Sequence, residues 1–568
     1  MSEQQASSES PEPEWPTCNA DRCIGIPLDG EDNCLSHAGT EARSGYLAGL
    51  QPGKSVDLRG TSLSSPLLDA ILDFTKSPDG LPVLGEAKFQ QARFLGDARF
   101  DGTQFSGDAS FGGARFLGLA WFARTSFSGA ARFEGAQFSK GASFVLGQFL
   151  GSAGFRGVQF SRSVGFFKAH FLKNAWFDGA EFSGQPGFED AQFFADADFR
   201  GTQFFQAQEF GPVLVASRLM LDYAHFAETI VIDVAAASLS CVATTFQQTA
   251  TFRVRYAEIV LDRALFAKPA TLAYAEAGFG RSIGLHMPTF DESILRDIGR
   301  RPQPRLLSVR QVDVSNLVLA SIDLTACLLW GAHHLDQLRI EGPNPFPFTP
   351  RGWHLGRVWG QGLPIWRWTR RQTVAEEHIW QAQRRLPSSL AGRPHPKFMG
   401  WNPPPARLLR MVEHSTGQAV RRLEPDRLAL LYRRLRKGRE DSKNEPGAAD
   451  FYYGEMEMRR RAIETPWVER VILSVYWLVS GYGLRGLRAL LTLLVVVAGV
   501  AVLFQHIGLY QPVRPHSYLA AVLYAAESML SLASGGVQLG VSVRTVRSRR
   551  NRGRGRHSHL RLRQGSGR

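Results

Sequence analysis

Five cysteines among 568 residues are too few to staple a chain of this length, so the sequence lacks a disulfide framework and points to a reducing compartment. It also lacks the P-loop and His-Glu-x-x-His spacings that would mark a nucleotide hydrolase or a zinc protease. No catalytic constellation stands in their place, and no enzymatic activity is expected. Nor does a secretory signal open the chain: MSEQQASSESPEPEWP is polar, acidic and proline-containing. Residues 1–16 are expected to be disordered.

What the sequence holds in quantity is phenylalanine, 38 residues of it, and most of that falls into one ladder. From Phe89 to Phe210 the gaps alternate strictly between five and six: Phe89, Phe94, Phe100, Phe105, Phe111, Phe116 and so on to Phe199, Phe204 and Phe210. Two residues before almost every one stands a small residue, as at Ala87, Ala92, Ala98, Thr103 and Ala109. A spacing of two puts both on one side of an extended strand, whereas neither five nor six follows a helical face over so many cycles. Glycine and polar residues between them, as in GDARFDGTQF from Gly96 to Phe105, suit tight corners. Self-similarity at fixed period is the mark of a solenoid, with the phenylalanines as its core.

The Ala-x-Phe-x-x unit resembles the pentapeptide-repeat family. That resemblance implies a mainly β fold, a right-handed quadrilateral β-helix in which the large central residue and the small one before it point inward. The extra residue in every second unit departs from the family pattern and gives an eleven-residue period. A bulge or longer corner is expected at alternate turns. Some members of the family imitate DNA with an acidic solenoid and bind topoisomerases. Here residues 85–210 carry twelve Asp plus Glu against twelve Lys plus Arg, a net of zero that cannot present a continuous negative stripe.

Upstream, Cys18, Cys23, Cys34 and His37 crowd into twenty residues. Thiolates with an imidazole are a soft tetrahedral set for zinc, and residues 17–50 are read as a zinc knuckle. Four protein ligands leave no open position, so the zinc would be structural. Unpaired thiols in a loop are the alternative.

The solenoid is expected over 55–340. In SPLLDAILDF, Ser65 is read as an N-cap and Pro66 as the first helical residue. Leu67, Leu68, Ile71 and Leu72 form an apolar stripe that could cover an open coil end. Beyond Phe210 the register loosens, then a plain five-residue period returns at Val314, Leu319, Leu324 and Leu329, which makes Cys327 a core residue. Residues 341–405 read as a Pro- and Trp-rich linker holding one helix, QTVAEEHIWQAQRRL. Its Glu376, Glu377 and His378 read as a solvated face. Residues 406–465 read as a helical hairpin, with Glu455–Arg459 and Glu457–Arg461 at the favoured four-residue spacing. Its DFYYGEMEMRR resembles a segment found between solenoid and membrane region in membrane-bound pentapeptide-repeat proteins.

Residues 466–543 form the expected membrane region. Ala489 to Phe504 is uncharged and dominated by Leu and Val, and is read as a transmembrane helix. A second apolar stretch, Ser517 to Val543, contains only Glu527 as a charge; part of it resembles the pore helix of two-helix cation channels. Ten arginines from Arg544 on supply most of the net charge of +14 and form a disordered tail, 544–568, suited to anionic lipid rather than to specific nucleic acid. GYGLRG and VSGYG, between Val479 and Gly486, read as a juxtamembrane turn. With Arg485 and Arg488 before the first apolar run, the arginine tail after the second and only Arg514 between them, both ends are expected to face the cytoplasm of a bacterial-type plasma membrane. The expected function is a membrane-anchored scaffold that binds an unknown protein partner, possible as a homo-oligomer. A subunit of an ion channel with a cytoplasmic solenoid is the alternative.

Overall fold

A computed structural model describes residues 13–279, 291–343, 345–350, 369–384 and 401–507, the strands Trp353–Val358 and Gln361–Arg367, and a few positions between 518 and 526. The chain divides into two compact units, Met1–Val475 and Tyr476–Arg568. The described helices are α1 (Thr40–Ala48), α2 (Ser65–Phe74), α3 (Ser293–Asp297), α4 (Ala375–Arg384), α5 (Ala406–Thr416), α6 (Pro425–Asp441), α7 (Glu445–Arg461), α8 (Trp467–Ser480) and α9 (Gly486–Ile507). The expected disordered start lies mostly outside the described residues. So do most of the second apolar stretch and all of the arginine tail.

Alternation of small residue and phenylalanine produces strands only two residues long. One coil runs through Gln104–Phe105, Ala109–Ser110, Arg115–Phe116 and Ala120–Trp121. The next strand, Ser126–Phe127, then lies parallel on the first, with Phe127 over Phe105. One side of the coil stacks ten such strands, from Ser62–Leu63 to Leu265–Phe266. Every ladder phenylalanine from Phe89 to Phe210 is at most 1% exposed, and Ala87, Ala92, Ala98 and Ala109 are wholly buried.

Two kinds of corner account for the alternating gaps. After Phe111 the Ala114 amide donates to the Phe111 carbonyl at 3.0 Å, and Gly113 takes a φ of 65°, the backbone this tight turn requires at its third residue. The left-handed position recurs every eleven residues, at Gln91, Gly102, Gly113, Arg124, Gly135 and Leu146. The six-residue gaps hold the extra residue in an open bend. There the coils nearly touch: a Cβ on Gly151 would sit 2.0 Å from the Gly129 carbonyl oxygen.

Past Phe210 the coil persists and shortens. Phe226 lies over Phe204, 22 residues on, but Phe246 over Phe226 and Phe266 over Phe246 are 20 apart. The strand Glu209–Met220 continues unbroken across two former sides, pairing with both Gln192–Phe193 and Ala197–Asp198. A segment containing α3 then leaves the stack. The coil resumes when Arg305–Ser308 pairs with Glu258–Val260. Val314, Leu319, Leu324, Cys327 and Leu329 are all buried, and Arg339–Glu341 is the last strand on Leu317–Ala320.

At the first coil, α2 stands where a fourth-side strand would lie. Its Leu68, Ile71 and Leu72 are buried. The N-cap is Ser64, not Ser65: the Ser65 hydroxyl instead donates to the Asp97 carbonyl at 2.7 Å, beside the strand Ala98–Arg99 that opens the five-stranded side.

At the other end α4, α6 and α7 continue the same apolar core, through Val374, Trp380, Leu428, Leu431, Leu435 and Phe451. Here the solvated face expected for Glu376, Glu377 and His378 is overturned, since none is more than 4% exposed. Each is matched. The Arg371 guanidinium donates to both Glu377 oxygens at 2.8 Å, with the Tyr432 hydroxyl on the same carboxylate. Glu376 Oε1 accepts from the Leu329 and Trp330 amides at 2.6 and 2.9 Å, pinning α4 to a late coil. His378 Nδ1 accepts from the Asn402 amide at 3.2 Å while Nε2 meets the Thr373 hydroxyl at 2.8 Å. Of the two expected hairpin pairs, Glu457–Arg461 forms and Glu455–Arg459 does not. Glu457 takes both Arg460 and Arg461, but Glu455 pairs with Arg436 and Arg459 with Glu469, because α6 and α8 offer nearer partners.

Two predictions follow from these contacts. Thr125 and Thr202 donate from the inward small-residue slot to carbonyls of the coil below, Phe100 at 2.9 Å and Phe177 at 2.8 Å, while Thr103 fills the same slot without a partner. Thr125→Ala and Thr202→Ala should each lower stability by about 1 kcal/mol more than Thr103→Ala, read as urea midpoints. The second concerns acid. Burial holds His378 down at about 4, below its unfolded value of about 6.5. The unfolded chain therefore binds this proton first, and stability should fall by about 1.4 kcal/mol per pH unit from pH ~6.5 to ~4. Burial would raise Glu457, but Arg461 and Arg460 hold it at about 2, so its contribution is lost at lower pH, from ~4.5 to ~2. His378→Asn should remove the first slope and leave the second.

Candidate metal centre

Cys18, Cys23, Cys34 and His37 meet in front of the first coil, their ligand atoms all within 4.8 Å of one another. Local backbone bonds bring them together. Arg22, with φ 57°, turns the chain between the first two cysteines, and the Cys23 amide donates to the Ala20 carbonyl at 3.1 Å. In the second pair the His37 and Ala38 amides both donate to the Cys34 carbonyl, which folds the imidazole back beside the thiol. The Cys18 amide bonds the Gly25 carbonyl at 2.7 Å and closes the first half, and the Asn19 amide bonds the Asp32 carbonyl at 3.0 Å and joins it to the second.

The donor atoms outline a small polyhedron. Cys23 Sγ lies 3.8 Å from Cys34 Sγ, and His37 Nδ1 lies 3.5 Å from both Cys18 Sγ and Cys34 Sγ. All three thiols are free, and 3.8 Å is far beyond the roughly 2.05 Å of a disulfide. Cys18 and Cys34 are buried while His37 is exposed. Burial raises the Cys18 thiol, but the Cys34 and Ala20 backbone and the His37 ring outweigh it and bring it down to about 7. Burial pushes Cys34 up to about 12 and raises Cys23 as well. Three thiols and an imidazole gathered within this space suit a soft cation, which would displace the thiol protons on binding. The set could hold a metal ion through four protein ligands, an arrangement that supports structure rather than substrate turnover.

Spacing in the sequence marks the four donors; their support lies elsewhere. The Gly25 amide points at Cys23 Sγ at 3.4 Å, and a Cβ on Gly25 would lie 2.9 Å from Cys34 Cβ. The Trp15 indole donates to the Ile24 carbonyl at 2.9 Å, with the Arg59 guanidinium 5.1 Å from its ring. The Ile26 amide bonds the Arg59 carbonyl at 2.9 Å, and the Ser36 hydroxyl bonds the Ser62 carbonyl. The knuckle is thereby stitched to the first coil, and Leu28, Leu35 and Ala38 extend the core beneath it. The bonds from Trp15, Ile26 and Ser36 have no sequence signal, because each ends on a backbone carbonyl that any side chain could have carried.

Residues 89–136 match the family described as Pentapeptide repeats (9 copies). The matched residues lie within the four-sided coil, which is a β-solenoid built on that repeat. No curated protein and no solved structure matches the chain.

Cys34→Ser and His37→Ala should each abolish metal retention through gel filtration, read by elemental analysis, while the circular dichroism of the coil stays unchanged. Gly25→Ala should weaken retention without removing a ligand.

Proposed function

We propose that this protein is a non-enzymatic scaffold tethered to a membrane: the coil offers its outward side chains to a protein partner, the Cys3His set holds structural zinc, and α9 enters the bilayer. The observation that carries the tether is the surface of α9. Its window Gly486–Leu503 has a mean hydropathy of 2.4 and only 11% of it is buried, so Leu487, Leu490, Leu494 and Val495 stand more than half exposed. In water such a face is costly, at about 25 cal/mol per Å² of apolar surface. At ~1.5 Å per residue its 22 residues reach ~33 Å, enough for a hydrocarbon core of ~30 Å. Arg485 and Arg488 favour a cytoplasmic solenoid at a bacterial-type plasma membrane.

Scaffolding is supported by how the coil uses its residues. The large side chains of the ladder are all turned inward, which leaves the outward positions free to vary without loss of the fold. Zinc is supported by distance: bonds of about 2.3 Å to sulfur and 2.0–2.1 Å to nitrogen give tetrahedral edges of about 3.8 Å between sulfurs and 3.5 Å between sulfur and nitrogen. The edges described above match both.

The full chain should stay in the membrane pellet through an alkaline carbonate wash. Leu494→Arg combined with Val496→Arg, at roughly 2.5–3.5 kcal/mol each in a helix centre, should release it. Recovery of the unaltered chain in the soluble fraction would overturn the tether. The purified protein should carry about one zinc per chain; none bound at equimolar supply would remove that assignment.

A further inference from the structure

A cavity of about 590 Å³ lies between the late coils and the segment joining α5 to α6. Four guanidinium groups line it. Arg310 is engaged, donating to Asp262 and to the Thr416 hydroxyl, each at 2.8 Å. Arg422 has Glu424 at 3.7 Å. Arg421 and Arg427 have no carboxylate at ion-pair distance among the described residues, and Arg427 lies 5.9 Å above the Trp330 ring on the same wall. Two exposed arginines alone are an ordinary surface. Here the wall they share also includes Glu376, a side chain 4% exposed whose Oε2 has no hydrogen-bond partner. Its other oxygen is fixed by the Leu329 and Trp330 amides, so the carboxyl group cannot turn to find one.

We propose that this cavity binds a small organic phosphate monoester of sugar-phosphate or nucleotide size, its phosphate between Arg421 and Arg427 and its organic part toward Trp330 and Glu376. Charge selects the phosphate: a monoester carrying about −1.5 to −2 at neutral pH balances two otherwise uncompensated guanidinium groups, whose planar forks suit its oxygens. Size selects the organic part. The volume falls within the roughly 300–1,000 Å³ of small-molecule sites and is far more than a bare phosphate fills. A hydroxyl or amino group on that part supplies the hydrogen bond that Glu376 Oε2 lacks. Occupancy would fasten the α5–α6 segment to the coil, since Arg421 belongs to the one and Trp330 to the other.

Titration calorimetry on the full chain in detergent tests this, with ribose 5-phosphate, AMP, adenosine and inorganic phosphate as probes. Ribose 5-phosphate or AMP should bind with a Kd between about 1 μM and 1 mM, weakening as salt rises, while adenosine gives no heat. Arg421→Ala with Arg427→Ala should weaken binding at least about tenfold, a loss of about 1.4 kcal/mol, with an unchanged unfolding midpoint. Arg434→Ala, on the exposed side of α6 and outside the cavity, should leave binding intact. Three results would each overturn the proposal: no heat from either organic phosphate up to about 5 mM, inorganic phosphate binding as tightly as they do, or equal loss in the Arg434 variant.

Discussion

Everything in the coil depends on one coincidence of lengths. Parallel strands stack about 4.7–4.9 Å apart, and that is also a favourable distance between stacked aromatic rings. Phe94, Phe116 and Phe138 follow one another at 4.5 Å with planes within 2°; Phe133, Phe155 and Phe177 do so at 5.0 and 4.8 Å. Backbone pairing and side-chain stacking therefore ask for the same spacing, and neither strains the other. Adjacent columns meet edge to face, as Phe111 and Phe122 do at 5.5 Å and 84°. The alanines between them are small enough to let four columns share one interior. Where the regular stretch ends, Phe210 lies over Phe188 at 43°, and there the short strands give way to the long one from Glu209.

The sequence announces this arrangement because the constraint repeats. A phenylalanine every fifth or sixth residue with a small residue two before it has few other uses, and the plain run to Leu329 carries the same message more faintly. The corners were less legible: glycine occurs both in the left-handed turns and in the close approaches, so composition alone does not say which gap holds the longer bend. The helical end was misread for a different reason. Glu376, Glu377 and His378 look like any charged helix face until their partners are known. Those partners lie six residues before Glu377, at Arg371, and 55 after it, at Tyr432. Long-range matching of buried charge leaves no periodic trace. That Cys18, Cys23, Cys34 and His37 come together was legible because their spacing is short and regular, whereas Gly25 acts only by having no side chain.

The two ends of the stack solve the same problem with different materials. A coil end leaves strand amides and carbonyls open to pairing with another chain. At the start, the Cys3His loop and α2 occupy those positions through bonds to the backbone of Arg59, Ser62 and Asp97. At the finish, a buried carboxylate takes the amides of Leu329 and Trp330, within a helical layer that continues the apolar core. One closure is held by a ligand set, the other by a charge network.

The change from 22 to 20 residues per coil has a bearing on how such a chain can grow or shrink. Each coil adds one strand spacing, about 4.8 Å, so the stack converts residue count into length like the marks of a ruler. Before Phe226 the mark is 22 residues; after it the mark is 20. Loss or duplication of one whole mark leaves every phenylalanine above another. Within the regular ladder an insertion of eleven residues, half of the longer mark, also keeps the pattern but turns everything after it by half a coil, whereas a number that is not a multiple of eleven breaks the alternation of five- and six-residue corners.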